Sequence, residues 1–162
     1  MAEVTHEVRL RPVEDQDVEV FFDHQADPIA NEMAAVPARD KDQFTAHWAK
    51  IRGDDTKIHW TIVADGAVAG NVVSWEQDGQ QLLGYWVGRE LWGRGIATEA
   101  VTQFLTQMRT RPLTAHVVAH NAGSIRVLEK CGFHRDHAQE ATAPASDDGI
   151  QEYVYVLDAL QT

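Results

Sequence analysis

The run Trp92-Gly93-Arg94-Gly95-Ile96-Ala97 constrains this chain more than any other segment. It follows an apolar, strand-like stretch, Leu82 to Val87, and opens the clearest amphipathic helix pattern in the sequence. In that pattern Ala97, Val101, Phe104, Leu105 and Met108 share one face. A glycine-rich turn at a helix start suits an anion. Glycines let the backbone approach phosphate oxygens, several N–H groups are free, and the helix dipole favours negative charge. Arg94 adds a charge-assisted contact. A Walker A loop is excluded because Gly-x-x-x-x-Gly-Lys-Ser/Thr is absent. A dinucleotide fingerprint is disfavoured because Thr98 stands where its third glycine belongs. The bland alternative is a pair of glycines serving only a tight turn.

The flanking segments supply the fold class. Val8 to Arg11 alternates and stops at Pro12, which reads as a first strand. From Val13 to Arg52 the pattern predicts two helices, one capped within Asp15-Gln16-Asp17 and containing Val18, Phe21 and Phe22. The other carries Phe44, Trp48 and Ile51, and Asp27-Pro28 and Val36-Pro37 break the chain into loops between them. Ile58 to Ala64 and Val68 to Val73 read as a hairpin about Asp65-Gly66, and Leu82 to Val87 as a third strand after the turn Gln77 to Gln80. Beyond Pro112 come a strand, Leu113 to Ala119, and a helix, Ala122 to Cys131, closed by Gly132. A loop over Ala141 to Gly149, with Asp147 and Asp148 solvated, precedes a last strand, Glu152 to Leu157. One strand, two helices, three strands and then helix, strand, helix, strand is an α+β order with a mixed sheet. It lacks the regular alternation of a doubly wound fold.

Composition narrows the partners. The 162 residues suit one domain spanning the whole chain. No apolar run reaches bilayer-spanning length and the N-terminus lacks a secretory pattern, so a cytoplasmic location is expected. With 25 acidic against 14 basic residues, the net charge of −11 disfavours nucleic acid and anionic membrane as partners and is compatible with a cationic acceptor such as an amine. The single cysteine, Cys131, excludes an internal disulfide and reads as a core thiol beside Leu128. No metal is expected: His116 and His120, four apart and read as lying on one strand face, lack a third ligand.

Two longer motifs carry a family resemblance. Gly84-Tyr85-Trp86-Val87, then Leu91 to Ala100, and then Asn121-Ala122-Gly123-Ser124 with Val127 to Phe133, resemble in order and spacing the motifs of the Gcn5-related (GNAT) acetyltransferases. The likeness is greatest to their Rim-type branch, which acetylates N-termini of ribosomal proteins. It is strong from Leu82 to Phe133 and weak before Ile58. It implies a GNAT fold, a central mixed and mostly antiparallel sheet flanked by helices. It also implies acetyl-CoA as cosubstrate, without metal, and an amine acceptor. Relatives occur as monomers and dimers, so a homodimer is compatible. The chain departs from the usual pattern at Trp92, where the family has Gln or Arg.

By the same resemblance, Gly93, Arg94, Gly95, Ile96, Ala97 and Thr98 hold the pyrophosphate. A bulge at Tyr85, Trp86 and Val87 frees backbone groups for the pantetheine arm, with an N–H near Val87 facing the thioester oxygen. Asn121 matches the asparagine that bonds the pantetheine arm, and is equally a good helix N-cap. Some branches carry an acidic tyrosine where Leu128 stands. Ser124 is then the candidate proton donor to the thiolate, or a first-turn serine satisfying helix N–H groups. Two bases are expected for the amine: His116, five residues before Asn121, and Glu76, at the end of a strand. The acid that family members carry just before Gly84-Tyr85 is replaced by Leu82. Between Phe21 and Trp48, Asp23, His24, Asp27, Asn31 and Glu32 are polar candidates on the acceptor side. A catalytically silent acyl-CoA-binding or sensor domain is the alternative function.

Overall fold

The computed structural model describes residues 6–142 and 150–158. The loop expected over Ala141 to Gly149, with Asp147 and Asp148, falls outside that range apart from the two residues that end its preceding helix.

The elements run β1 (Val8–Arg11), α1 (Asp15–Gln25), α2 (Pro28–Ala34), α3 (Lys41–Gly53), β2 (Ile58–Ala64), β3 (Ala67–Gln77) and β4 (Gln80–Val87). A 3-10 turn (Arg89–Leu91) leads to α4 (Ile96–Gln107), β5 (Leu113–Val118), α5 (Ala122–Lys130), β6 (His134–Arg135), α6 (His137–Thr142) and β7 (Glu152–Leu157). The strands form one sheet in the order β1-β2-β3-β4-β5-β7-β6. Every neighbouring pair is antiparallel except β4 and β5. This is the mixed α+β sheet expected from the sequence.

Local chemistry explains most of these boundaries. Asp65-Gly66 and Asp78-Gly79 turn their hairpins with positive φ at both residues, 53° and 84° in the first and 53° and 79° in the second, the geometry that suits a tightly twisted hairpin. Asp40 and Gln43 form a reciprocal capping box at the start of α3. The predicted Phe44, Trp48 and Ile51 face of that helix is buried. At the end of α5, Gly132 takes φ of 94°, and the N–H groups of Gly132 and Phe133 return to the carbonyls of Glu129 and Leu128. That is the Schellman pattern of a glycine-terminated helix.

Three expectations are corrected. The loop expected between α1 and α3 contains a helix, α2, because Asp27 caps it through its side chain and Pro28 occupies its first turn, where a proline costs nothing. The N-cap of α1 is Glu14, and Asp17 serves as the residue whose carboxylate reaches back to the Glu14 N–H at 2.8 Å. His116 and His120 do not share a strand, since β5 ends at Val118 and His120 lies in the following turn. The short β6 and α6 have no counterpart in the sequence reading.

Two cores lie on opposite faces of the sheet. On one face α4 packs Ile96, Ala100, Val101 and Phe104 against Ile62, Val72, Leu83, Leu113, Ala115 and Leu128. On the other, α1 and α3 pack Phe21, Phe44 and Trp48 against Val73, with Phe21 and Trp48 ring centroids 4.8 Å apart. Among the described residues no helix is long and apolar enough to cross a membrane.

Candidate active site

The parallel pairing of β4 with β5 is confined to Gln81 opposite Leu113 and Leu82 opposite Thr114. Beyond that point β4 stays registered on β3 as far as Val87, and β5 stays registered on β7 as far as Val118. The sheet therefore splits between two strands that start together and then diverge. Val87 at the end of β4 and His120 and Asn121 just beyond β5 line the opening between them.

The opening exposes one edge of β4. The Gly88 N–H bonds the Ala69 carbonyl at 3.0 Å, so even-numbered residues of β4 direct their backbone groups to β3. Leu83, Tyr85 and Val87 consequently direct theirs into the gap. The bulge expected at Tyr85 to Val87 is absent, because β3 and β4 pair without interruption from Gly70–Val87 to Gln77–Gln80. Divergence from β5 frees the backbone instead. The register irregularity of this part of the sheet lies elsewhere, at Ile62/Val63 between β2 and β3.

A cavity of 660 Å³ occupies the split. One end is the turn into α4. Gly93 and Gly95 have φ of 77° and 78°, no side chain caps the helix, and its first backbone bond runs from the Glu99 N–H to the Gly95 carbonyl. The N–H groups of Ile96, Ala97 and Thr98 precede that bond and have no intrahelical partner. Arg126 and Lys130 of α5 also line the cavity, and no Asp or Glu among the described residues does. A chain of net charge −11 thus carries a pocket whose full charges, among the described residues, are positive. Backbone donors, a helix N-terminus and two cations fit a polyphosphate.

At the middle of the split, Tyr85 reaches from β4 to α5, its hydroxyl 2.7 Å from the Ser124 hydroxyl. Burial pushes the Tyr85 phenol far above its ordinary pKa, against the opposing pull of its bond to Ser124, so it stays protonated. Asn121 caps α5 by accepting from the Ser124 N–H at 3.2 Å, which orients the serine. Trp92 accounts for the departure noted in the loop: its indole N–H donates to the Val87 carbonyl at 2.9 Å and ties the loop to the strand edge. The roof is α2, which contributes Ala30, Met33 and Ala34. It is held on the β4 side by the Asp27–Arg89 ion pair at 2.5 Å and on the β5 side by His120, 3.0 Å from the Glu32 carbonyl.

The cavity gathers Tyr85, Trp86, Val87, Gly93, Gly95, Ile96, Ala97, Thr98, Asn121 and Ser124, and leaves out Arg94, which is exposed on the outer side of its turn. It also leaves out both expected bases. Glu76 is exposed beside Gln81 at the hairpin end of β4, six residues or about 20 Å of strand from Val87. His116 lies on the face of β5 turned away from the α4 core, with Nδ1 3.0 Å from Glu152. Of the acceptor-side polar residues, Asp27 is spent on capping α2 and pairing Arg89, and none of Asp23, His24, Asn31 and Glu32 lines the cavity through its side chain. The Tyr85–Ser124 contact, and His120, Arg126 and Lys130 in the lining, escaped the sequence reading. Cys131 is half-buried at the end of α5, does not line the cavity, and burial raises its thiol pKa. Among the described residues no group of His, Cys, Asp or Glu is arranged to hold a metal ion.

Comparison with known proteins agrees with this geometry. Residues 7–134 match the family model described as an acetyltransferase (GNAT) domain. An uncharacterized N-acetyltransferase p20 from Bacillus licheniformis is 25% identical over 94% of this chain and 93% of its own length. A GNAT-family acetyltransferase from Bacillus anthracis superposes with a TM-score of 0.77 at 18% identity, over 93% of this chain and 94% of that one. The ribosomal L7/L12 alpha-N-protein acetyltransferase RimL, in complex with coenzyme A, superposes with a TM-score of 0.77 at 14% identity, over 94% of each chain. The chain belongs to the GNAT family and is an N-acetyltransferase.

Proposed function

We propose that the protein transfers the acetyl group of acetyl-CoA directly to a primary amine. The observation that carries this reading is the split between β4 and β5, which joins an uncapped helix N-terminus to a half-buried tyrosine–serine pair within one cavity that no carboxylate among the described residues lines. Gly93, Gly95 and the first N–H groups of α4 would hold the pyrophosphate, with Arg126 and Lys130 nearby. The free edge of β4 would pair with the pantetheine amides, and Asn121 lies beside it. Acetyl-CoA supplies an acetyl group already activated as a thioester.

The chain's own groups then do the rest. The Val87 N–H points into the gap, where it donates to the thioester oxygen as negative charge develops there. Tyr85, kept protonated by burial, donates to Ser124 and leaves the serine proton free to be delivered to the departing sulfur. The apolar roof of α2 excludes water from the reacting atoms.

Acetyl-CoA turnover measured by free-thiol release against a panel of primary amines, from peptide N-termini to small alkyl amines, tests the reading. Amine-dependent thiol release is expected. Tight acetyl-CoA binding without release for any amine would assign the protein to the silent acyl-CoA-binding class.

A further inference from the structure

With Glu76 and His116 outside the cavity, and no carboxylate among the described residues in its lining, the proton of the acceptor amine needs another destination. His120 is the titratable base in the lining. Its Nε2 lies 3.0 Å from the Glu32 backbone carbonyl. A carbonyl oxygen only accepts, so Nε2 carries the hydrogen, and in the neutral ring the lone pair belongs to Nδ1. Nδ1 has no hydrogen-bond partner among the described residues. The ring is thus tautomerically fixed by α2 with its basic nitrogen unspent. His120 also directly precedes Asn121 and lines the same cavity as Val87. The charged groups on the elements that meet it are Glu32 of α2 and Arg126, Glu129 and Lys130 of α5.

We propose that His120 is the general base of the reaction, a role that rests on the acetyltransferase reading. As the amine nitrogen bonds the acetyl carbon, its proton passes to Nδ1. The carbon–sulfur bond breaks, and the thiolate takes the Ser124 proton, which Tyr85 replaces. The imidazolium then returns its proton to solvent, and the Tyr85–Ser124 pair regains one, so the turnover closes without an added reactant. The same histidine holds the roof, so the contact that fixes α2 also sets the tautomer that catalysis needs.

The test separates the base from the latch. His120→Gln places an amide nitrogen where Nε2 stands, so it can still donate to the Glu32 carbonyl, but it cannot take a proton. For an alkyl amine, kcat/KM of His120→Gln is expected to fall about 100-fold or more, within the usual range for loss of a positioned base. Its KM for acetyl-CoA should stay within about twofold, as for a residue remote from the phosphates. The rise of kcat/KM with pH on the acidic side should disappear. His120→Gln with wild-type kcat/KM and pH profile, alongside an impaired His120→Ala, would reduce His120 to a latch and overturn the proposal. Long-range nitrogen–proton NMR of the ring gives an independent readout. A neutral Nε2–H tautomer is expected, and an Nδ1–H tautomer would overturn it. Wild-type protein that binds acetyl-CoA yet releases no thiol with any amine would overturn the transferase reading and the base together, an outcome distinct from either of these.

Discussion

The Tyr85 hydroxyl sits 2.7 Å from the Ser124 hydroxyl and 3.2 Å from the Ser124 carbonyl, joining the middle of β4 to the first turn of α5 across the split in the sheet. In the proposed mechanism the contact orients the Ser124 hydroxyl that serves the leaving thiolate. Ser124→Ala is therefore expected to lower kcat about 100-fold, the low end for loss of a general acid, with little change in KM for acetyl-CoA. Tyr85→Phe keeps the ring in the core and removes a single hydrogen bond, and should cost about tenfold in kcat. Steady-state kinetics with one good amine checks both. A Ser124→Ala enzyme with wild-type kcat would mean that water protonates the sulfur.

Asp17, in the first turn of α1, is fully buried and accepts from Arg11 at 2.6 and 2.9 Å, from the Glu14 N–H and from Thr61 at 2.8 Å. Burial pushes its carboxyl up, and these hydrogen bonds together outweigh that and hold it below the usual aspartate range. Asp17→Ala should destabilise the fold by about 2–4 kcal/mol, since it strands a buried hydroxyl and a cation that is only partly able to reach water. Urea titration at neutral pH reads this directly. A loss below about 1 kcal/mol would show that solvent replaces the network.

How much of this was legible in the sequence depended on the range of the interactions. Asp65-Gly66 and the Gly132 helix end were readable because four or five consecutive residues set their backbone. The same local logic failed at Asp27-Pro28, where a cap and a first-turn proline look like a break unless the short helix they begin is already known. Glu76 and His116 were correctly put on strands. A strand assignment, however, says neither which end of a sheet a residue reaches nor which face it occupies, and those depend on pairing with β4 and β7. The Tyr85–Ser124 contact spans 39 residues and exists only because β4 and β5 diverge. The turn at Gly93 and Gly95 was legible for a different reason, since both take a positive φ that few residues but glycine adopt.

Burial lowers the imidazole pKa values of His24, His47 and His59 below the ordinary histidine value. Nearby Glu90 and Asp23 oppose the shift at His24, while Arg and Lys neighbours reinforce it at the other two. A group whose folded pKa is depressed favours the deprotonated native state. Its contribution is complete above the unfolded value of about 6.5 and is lost as pH falls through the folded value. Exposed His134 is shifted upward by Asp158 and acts in the opposite sense, but solvent screens that contribution. The melting temperature should therefore be flat between about pH 7 and 8 and fall below about pH 6.5. His24→Leu, which also removes the buried unpartnered Nδ1, should flatten part of that slope. An unchanged slope in this variant would remove His24 from the acid response.

Gly95 offers the sharpest separation of binding from folding. Its φ of 78° lies where L-residues pay a steric cost, yet a Cβ built there meets nothing within 4 Å. Gly95→Ala should therefore cost about 1–2 kcal/mol of stability from backbone strain alone and leave the fold intact. Gly95 also lines the cavity at the uncapped start of α4, where the phosphate oxygens would approach the backbone. An added side chain stands in that approach, so coenzyme A affinity should fall more than strain explains, by about tenfold for Ala and further for Val. Calorimetry with coenzyme A, beside thermal melts of the same variants, separates the two effects. A Gly95→Val protein that melts lower but binds coenzyme A as tightly as wild type would take the pyrophosphate away from this loop.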